Sequence, residues 1–285
     1  MSTHTSGGYY VPQPSHWPIV GSCALLLMAF GGVMLMNNAL TPGWVVFGLG
    51  VATLVFMLVR WFGKVIGESE SGKYNAQVDL SFRWGMSWFI FSEVMFFAAF
   101  FGALYYARQF SVPWLADIDN SLLWPGYQPH WPTAGPGLQT EFTPMAAWGI
   151  PAINTLLLLS SGVTVTWAHW GLKKNNRSQL IIGLILTVAL GITFLGLQAF
   201  EYGHAYRELN LTLASGVYGC TFFMLTGFHG FHVTIGSIML IVILLRSLKG
   251  HFKPDHHFAF EAVSWYWHFV DVVWLGLFVF VYWLL

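Results

Sequence analysis

Long apolar runs, separated by short polar segments, extend along the whole chain. Seven of them reach the roughly 20 residues that a helix needs to cross the hydrocarbon core of a membrane. A helix satisfies its own backbone hydrogen bonds in lipid, so the pattern predicts an all-α, polytopic membrane protein with seven transmembrane helices in one membrane domain, residues 1–285. The predicted helices lie near Trp17–Met36, Trp44–Phe62, Phe82–Tyr106, Met145–Trp170, Leu180–Tyr202, Val217–Leu245 and Phe260–Leu285.

Composition supports lipid as the solvent of this chain. Charged residues make up 8% of the sequence and hydrophobic residues 56%, whereas about 25% of residues are charged in ordinary globular domains. The formal net charge is zero, which indicates no basic surface for nucleic acid. The two cysteines, Cys23 and Cys220, lie in apolar runs and form no CxxC motif, so neither a disulfide framework nor a thiolate metal site is indicated.

The positions of the cations predict the orientation of the helices. The segments around the ends of the second, fourth and sixth helices contain ten of the twelve Lys and Arg residues, and only Arg108 and Arg207 lie on the other side. Because cytoplasmic loops contain the excess of Lys and Arg, we expect a cytoplasmic N-terminus and a C-terminus on the outer side. The first apolar run has no basic flank, and we interpret it as a retained helix rather than a cleaved signal.

One acidic residue lies near the middle of the third predicted helix. Glu93 occurs in "WGMSWFIFSEVMFFAAFFGALYY", and its neighbours on the same helix face are Phe89, Ile90, Phe96 and Phe97, none of which can pair with a carboxylate. A charge at membrane depth costs about 2.5–3.5 kcal/mol, so we expect a protonated carboxyl. Two interpretations stay open: a neutral acid bonded to a neighbouring helix, and a proton-linked or reactive carboxyl.

Polar residues recur in the last two predicted helices. In "TGFHGFHVTIGS", His229 and His232 share a helix face, and we expect hydrogen bonds between closely packed helices, with a metal site as the alternative. In "FEAVSWYWHFVDVVW", Glu261, His268 and Asp271 line one face. We interpret these five residues as a buried polar network, with a proton relay as the alternative for the last three.

The histidine spacing excludes a membrane di-haem cytochrome. One helix of such a protein places two histidines well over a dozen residues apart, whereas His229 and His232 are three apart. His169 and Glu201 lie near the ends of the fourth and fifth predicted helices, where polar groups are tolerated, so we expect structural roles for both. We therefore expect no redox centre and no metal on this chain.

Cations and indole rings collect at the predicted cytoplasmic ends of the second, third and sixth helices. This combination at headgroup depth favours bound anionic phospholipids, although a positive-inside bias with an aromatic belt explains the same pattern. Glu68 is close to these cations, and we expect it to bind a lipid amine or to pair with Arg83. The candidate lipid residues are Arg60, Trp61, Lys64, Arg83, Trp84 and Arg246.

Several long segments resemble the cytochrome c oxidase subunit III family. They are "RWGMSWFIFSEVMFF", "SGVTVTWAHWGL", "GVYGCTFFMLTGFHGFHVTIG" and "HHFAFEAVSWYWHFVDVVWLGLFVFVYW", together with "PSHWPIVG" and "VIGESE" nearer the start. The similarity runs from about Pro14 to the C-terminus and keeps the order of the segments. Such a set of long, ordered motifs is highly specific.

The resemblance implies a fold and a role. It implies seven helices in a two-helix and a five-helix group, with phospholipids in a V-shaped cleft between them. It also implies a non-catalytic subunit of a proton-pumping aa3-type oxidase that receives electrons from cytochrome c. Its partners would be subunit I, as the main contact, and subunit II, which contain the haems and copper. The implied role is to sustain proton uptake into the catalytic subunit and to protect it during turnover.

The resemblance also assigns roles to particular residues. Glu93 corresponds to the intramembrane carboxyl that reacts with carbodiimides. Glu68, Arg83, Arg246 and His251 match family positions near lipid headgroups, which adds His251 to the candidate lipid residues.

One segment departs from the family, and two other classes of function stay open. The predicted outer loop Ala107–Pro144 is longer than in mitochondrial relatives, so its contacts are not carried over. The seven helices favour the cytochrome c branch over the shorter quinol-oxidase version, and we expect a bacterial inner membrane. The alternatives are a stand-alone proton-coupled transporter with Glu93 and Asp271 as carriers, and a lipid-binding structural protein.

Overall fold

The structure is a computed structural model that describes residues 9–138 and 141–284. Within these residues, seven helices are long and apolar enough to cross a membrane, and the described residues form no strand. Their bounds are α1 Trp17–Met36, α2 Leu40–Glu70, α3 Ala76–Tyr106, α4 Ile150–Lys173, α5 Arg177–Arg207, α6 Gly216–Lys249 and α7 Phe258–Leu277. Two of them continue beyond these bounds, α3 through Ala107–Ser111 to Trp114 and α7 through Phe278–Trp283.

The predicted fold class and the number of helices are confirmed, and several helices extend beyond the predicted apolar spans. Helix α2 continues to Glu70 instead of ending at Phe62, and α6 continues to Lys249. The apolar pattern marks only the part of a helix that contacts lipid, while the backbone hydrogen bonds continue into the polar flanks. Helix α4 begins at Ile150 rather than Met145, because Pro151 occupies its first turn, where a missing N–H costs nothing.

The chain divides into two compact units, residues 1–82 and 83–285. The first unit contains α1 and α2, whose backbones approach each other closely. A Cβ atom on Gly31 would lie 2.5 Å from the backbone nitrogen of Phe47, so a side chain there would separate the two helices. The division into a two-helix and a five-helix group about a lipid cleft stays a prediction.

In the second unit, two indole rings of α7 fix the packing against α4. Trp267 and Trp274 are fully buried, and their Nε1–H groups donate to Ser161 Oγ at 2.8 Å and to Thr155 Oγ1 at 2.9 Å. A buried indole needs such a partner because its N–H cannot bond to lipid or to water. These bonds set the rotation of α7, and with it the direction of the polar side chains on its other faces.

The described part of the segment between α3 and α4 packs against the start of α6. The Tyr218 amide donates to the Thr133 carbonyl at 3.2 Å, and the Phe142 ring stacks on the Tyr218 ring at 5.3 Å. Trp131 contacts the same tyrosine ring edge-on. This part of the predicted outer loop is therefore anchored to a transmembrane helix.

Candidate functional site

Glu93 has a partner on another helix. Its Oε2 atom lies 2.9 Å from Nε2 of His232, and the two residues belong to α3 and α6. Both side chains are largely buried, with 22% of Glu93 and 10% of His232 exposed. The structure thus favours the first interpretation from the sequence, in which the acid bonds to a neighbouring helix.

Hydrogen bonding determines the proton count of this pair. Nδ1 of His232 lies 2.6 Å from the Phe228 carbonyl oxygen, which can only accept, so Nδ1 bears a hydrogen. A single further proton then lies between Nε2 and the Glu93 carboxyl, whichever atom holds it. The pair is electrically neutral in both arrangements, so an acid is tolerated at this depth.

Aromatic rings surround the His232 imidazole. Phe97 meets it edge-on at 5.0 Å between centroids, and Tyr266 stacks on it at 6.3 Å. Phe96 and Phe269 complete this apolar surrounding. These rings cover most of the imidazole, of which only 10% is exposed.

His229 does not join this pair. Its Nε2 lies 3.2 Å from the Val270 carbonyl and donates to it, and its ring lies against Trp274 at 5.2 Å. Since His229 and His232 use their Nε2 atoms on different partners, the structure does not bring them to a common metal position. Both histidines connect packed helices, as the sequence interpretation expected.

A second acid–histidine pair lies on α7. Nδ1 of His268 is 3.6 Å from Asp271 Oδ2, and Nε2 is 3.2 Å from Thr166 Oγ1 on α4. Sequence reasoning placed Glu261 in the same network, but no described contact joins Glu261 to either residue. The five predicted network residues, on α6 and α7, instead fall into separate groups, because each helix presents its side chains to different neighbours along its length.

Glu261 belongs to a cluster at the predicted cytoplasmic end. Arg83 Nη1 lies 2.5 Å from its Oε2, and the Nε2 atoms of His169 and His257 lie 3.6 and 3.3 Å from its Oε1. The His169, His257 and Glu261 ligand atoms lie within 4.8 Å of one another, a donor set that suits a divalent metal such as zinc. Sequence reasoning missed this cluster, although His257, just before α7, and Glu261 in its first turn are only four residues apart.

The candidate lipid residues divide into exposed and buried groups. Arg60, Trp61 and Trp84 are exposed, whereas Arg246 is buried with its guanidinium over the Phe252 ring at 4.5 Å. His251 lies two residues beyond the end of α6, and its amide donates to the Arg246 carbonyl at 3.2 Å.

Glu68 has a partner that the sequence did not suggest. The Tyr74 hydroxyl donates to Glu68 Oε2 at 2.9 Å, while Arg83 pairs with Glu261. Burial, together with the hydrogen bond to the Glu68 carboxylate, raises the pKa of Tyr74 well above its ordinary value. Tyr74 is thus a donor that stays protonated, and it holds one Glu68 oxygen.

A further acid, Glu201, is fully buried near the end of α5. Its Oε1 accepts a hydrogen bond from the Tyr282 hydroxyl at 2.7 Å. Sequence reasoning placed Glu201 at the membrane interface and missed Tyr282, because the two residues are 81 positions apart. The expected structural role is consistent with this bond.

Seven spanning helices with acids and histidines bonded between them define a multi-pass helical membrane protein. The family model described as "Cytochrome c oxidase subunit III" matches residues 7–285. "Cytochrome c oxidase subunit 3" of Hippopotamus amphibius is 43% identical over 283 residues, covering 99% of this chain and 98% of the relative. The protein of that name from Marchantia polymorpha is 42% identical over 284 residues, with the same coverage.

The chain belongs to the cytochrome c oxidase subunit III family. It is a subunit of an enzyme complex that takes part in respiratory electron transport. The resemblance read from the sequence motifs is confirmed.

Proposed function

We propose that this chain is the non-catalytic third subunit of a proton-pumping aa3-type cytochrome c oxidase. The family match supports the proposal, because it spans nearly the whole chain. The chain would bind subunit I as its main partner, and subunit II, which contain the haems and copper. Cytochrome c would donate electrons to the holoenzyme, and this chain would have no redox centre of its own.

The geometry within the membrane supports a scaffold rather than a catalyst. Glu93 and His232 bond to each other, and His229 bonds to a backbone carbonyl. These groups stabilise helix contacts instead of converging on one open position. A stand-alone transporter would need Glu93 and Asp271 on one path for protons. Glu93 instead bonds to His232, and Asp271 lies beside His268.

Purification through an affinity tag on this chain tests the proposal. In mild detergent, we expect haem absorbance and copper in the purified complex, both on other polypeptides once the chains are separated. An untagged strain is the control for unspecific binding. A complex without haem and copper would contradict the proposal, and proton transport by such a preparation would favour the transporter.

We propose that the chain sustains proton uptake and protects the catalytic subunit. The cluster of Arg83, Glu261, His169 and His257 supports this role, since it places ionisable groups at the predicted cytoplasmic end. We expect oxidase from which this chain has been removed to keep its haem spectrum but to lose oxygen consumption progressively during turnover. Re-addition of the chain is the control, and equal decay with and without it would contradict the role.

We also propose that the chain binds phospholipid at its predicted cytoplasmic ends, in a bacterial inner membrane. The exposed Arg60, Trp61 and Trp84 support lipid binding, and the cation asymmetry supports a cytoplasmic N-terminus. Native mass spectrometry of the complex is expected to show less retained lipid in the Arg60→Ala variant.

A protease-cleavable N-terminal tag that is cut only in inside-out vesicles would support the orientation.

A further inference from the structure

Three metal-ligand atoms converge at the predicted cytoplasmic end of the second unit. His169 lies near the end of α4, His257 directly precedes α7, and Glu261 lies in the first turn of α7. Nε2 of His169 lies 3.3 Å from Nε2 of His257, and Oε1 of Glu261 lies 3.6 and 3.3 Å from these two atoms. The three atoms therefore form a nearly equilateral triangle.

The size of this triangle matches the ligand spacing of a tetrahedral zinc ion. Zinc binds imidazole nitrogen and carboxylate oxygen at about 2.0–2.2 Å, so neighbouring ligands of a tetrahedral ion lie about 3.3–3.6 Å apart. All three observed separations fall within this range. One point therefore lies at bonding distance from all three atoms without movement of a side chain.

Other contacts orient the ligand atoms towards this point. Nδ1 of His257 lies 3.0 Å from the Lys253 carbonyl oxygen, which only accepts, so Nδ1 bears the hydrogen and the Nε2 lone pair of a neutral ring is directed at the cluster. Arg83 pairs with Oε2 of Glu261, which leaves Oε1 towards the histidines. Such partners behind the ligands are typical of zinc sites, because they fix the ring orientation and the carboxylate.

A single hydrogen satisfies this cluster poorly. With both rings neutral, Nε2 of His257 and Oε1 of Glu261 are acceptors, and only Nε2 of His169 can donate. Its distance of 3.6 Å from Oε1 is too long for a hydrogen bond. A divalent cation satisfies all three atoms at once, whereas the hydrogen reaches only one acceptor.

Burial leaves room for one further ligand. The side chains of His257 and Glu261 are 9% and 12% exposed, and the His169 side chain is 18% exposed. Zinc ions with three protein ligands take water as the fourth. The exposed part of the cluster lies at the predicted cytoplasmic end, where water is available.

We propose that His169, His257 and Glu261 bind a zinc ion, which links α4 to the start of α7 and stabilises this end of the second unit. Two imidazoles and one carboxylate suit zinc better than magnesium or calcium, which prefer oxygen ligands. Zinc has no redox chemistry, so the site adds no redox centre. It replaces the expectation from the sequence that this chain binds no metal.

The zinc content of the purified complex tests the ligands. After mild chelation and dialysis against a fixed free zinc concentration, the unaltered complex is expected to contain one more zinc ion per copy of this chain than the His257→Ala variant. Loss of this ligand is expected to weaken binding at least about 10 to 100 times, the effect of losing an outer partner. His256→Ala, which removes the exposed adjacent histidine, is the matched control and is expected to keep the ion. Equal zinc in the unaltered and His257→Ala complexes would overturn the inference, as would equal loss in both variants.

X-ray absorption at the zinc edge tests the site without any substitution. The difference between the zinc-loaded and the chelated unaltered complex is expected to show two imidazole nitrogens and carboxylate oxygen at about 2.0–2.2 Å. Sulfur ligands at about 2.3 Å, or a shell of oxygen alone, would place the added ion elsewhere and overturn the inference.

The melting temperature tests the link between the helices. Zinc is expected to raise the apparent melting temperature of the unaltered and His256→Ala complexes, because an ion that binds only the folded state stabilises it. Magnesium at the same concentration, and zinc with His257→Ala, are expected to give no rise. An equal rise with magnesium, or with His257→Ala, would contradict the stabilising role. None of these measurements requires haem, so they remain decisive if the proposed function fails.

Discussion

Carbodiimide treatment of the complex near neutral pH is expected to modify this chain at Glu93 and to leave the Glu93→Gln variant unmodified. The reaction needs a protonated carboxyl, whose proton moves to a carbodiimide nitrogen while the carboxylate oxygen attacks the central carbon. The shared proton of Glu93 and His232 supplies this form, and the surrounding rings limit hydrolysis of the adduct. Mass spectrometry of the digested chain measures the adduct.

Two variants make this labelling experiment specific. His232→Leu removes the imidazole but leaves an acid in an apolar setting, so the Glu93 adduct is expected to persist. Glu93→Gln is expected to keep the haem spectrum of the complex, because no cofactor depends on this carboxyl. The neutral shared-proton pair would be contradicted if the unaltered protein formed no adduct. It would also be contradicted if the Glu93→Gln variant formed as much adduct as the unaltered protein.

Gly216→Ala is expected to cause the largest loss of stability among single methyl additions in the second unit. Gly216 begins α6 with φ of 75°, and a Cβ atom there would overlap the Ala134 carbonyl oxygen. The left-handed backbone costs a non-glycine residue about 1–2 kcal/mol, and overpacking adds about 1–3 kcal/mol. The apparent melting temperature of the purified complex measures the loss.

Gly126 provides the matched control for this substitution. It has φ of 80° in the same segment before α4, but nothing lies within 4 Å of a Cβ atom at that position. Gly126→Ala is therefore expected to cost only the backbone contribution. Equal shifts for the two variants would show that Ala134 does not restrain the start of α6, and that the segment is not anchored there.

The pairing partners show the limit of sequence reasoning. Periodicity correctly gave the neighbours of Glu93 on α3, all of them apolar, but its partner His232 is 139 residues away. Likewise, Glu261 was grouped with Asp271 because they share a helix, whereas contacts from α4 and α3 separate them. Helical periodicity determines which residues of one helix are neighbours. It does not determine which other helix packs against them.

The sequence by itself determined the membrane environment, the seven helices and the family. These features depend on the length of apolar runs and on the order of local motifs, and neither requires knowledge of the packing. Only the tertiary structure decided how the polar groups pair. Glu93 with His232, Arg83 with Glu261, and His268 beside Asp271 and Thr166 follow from the rotation of packed helices, which distant contacts such as Trp267 on Ser161 determine.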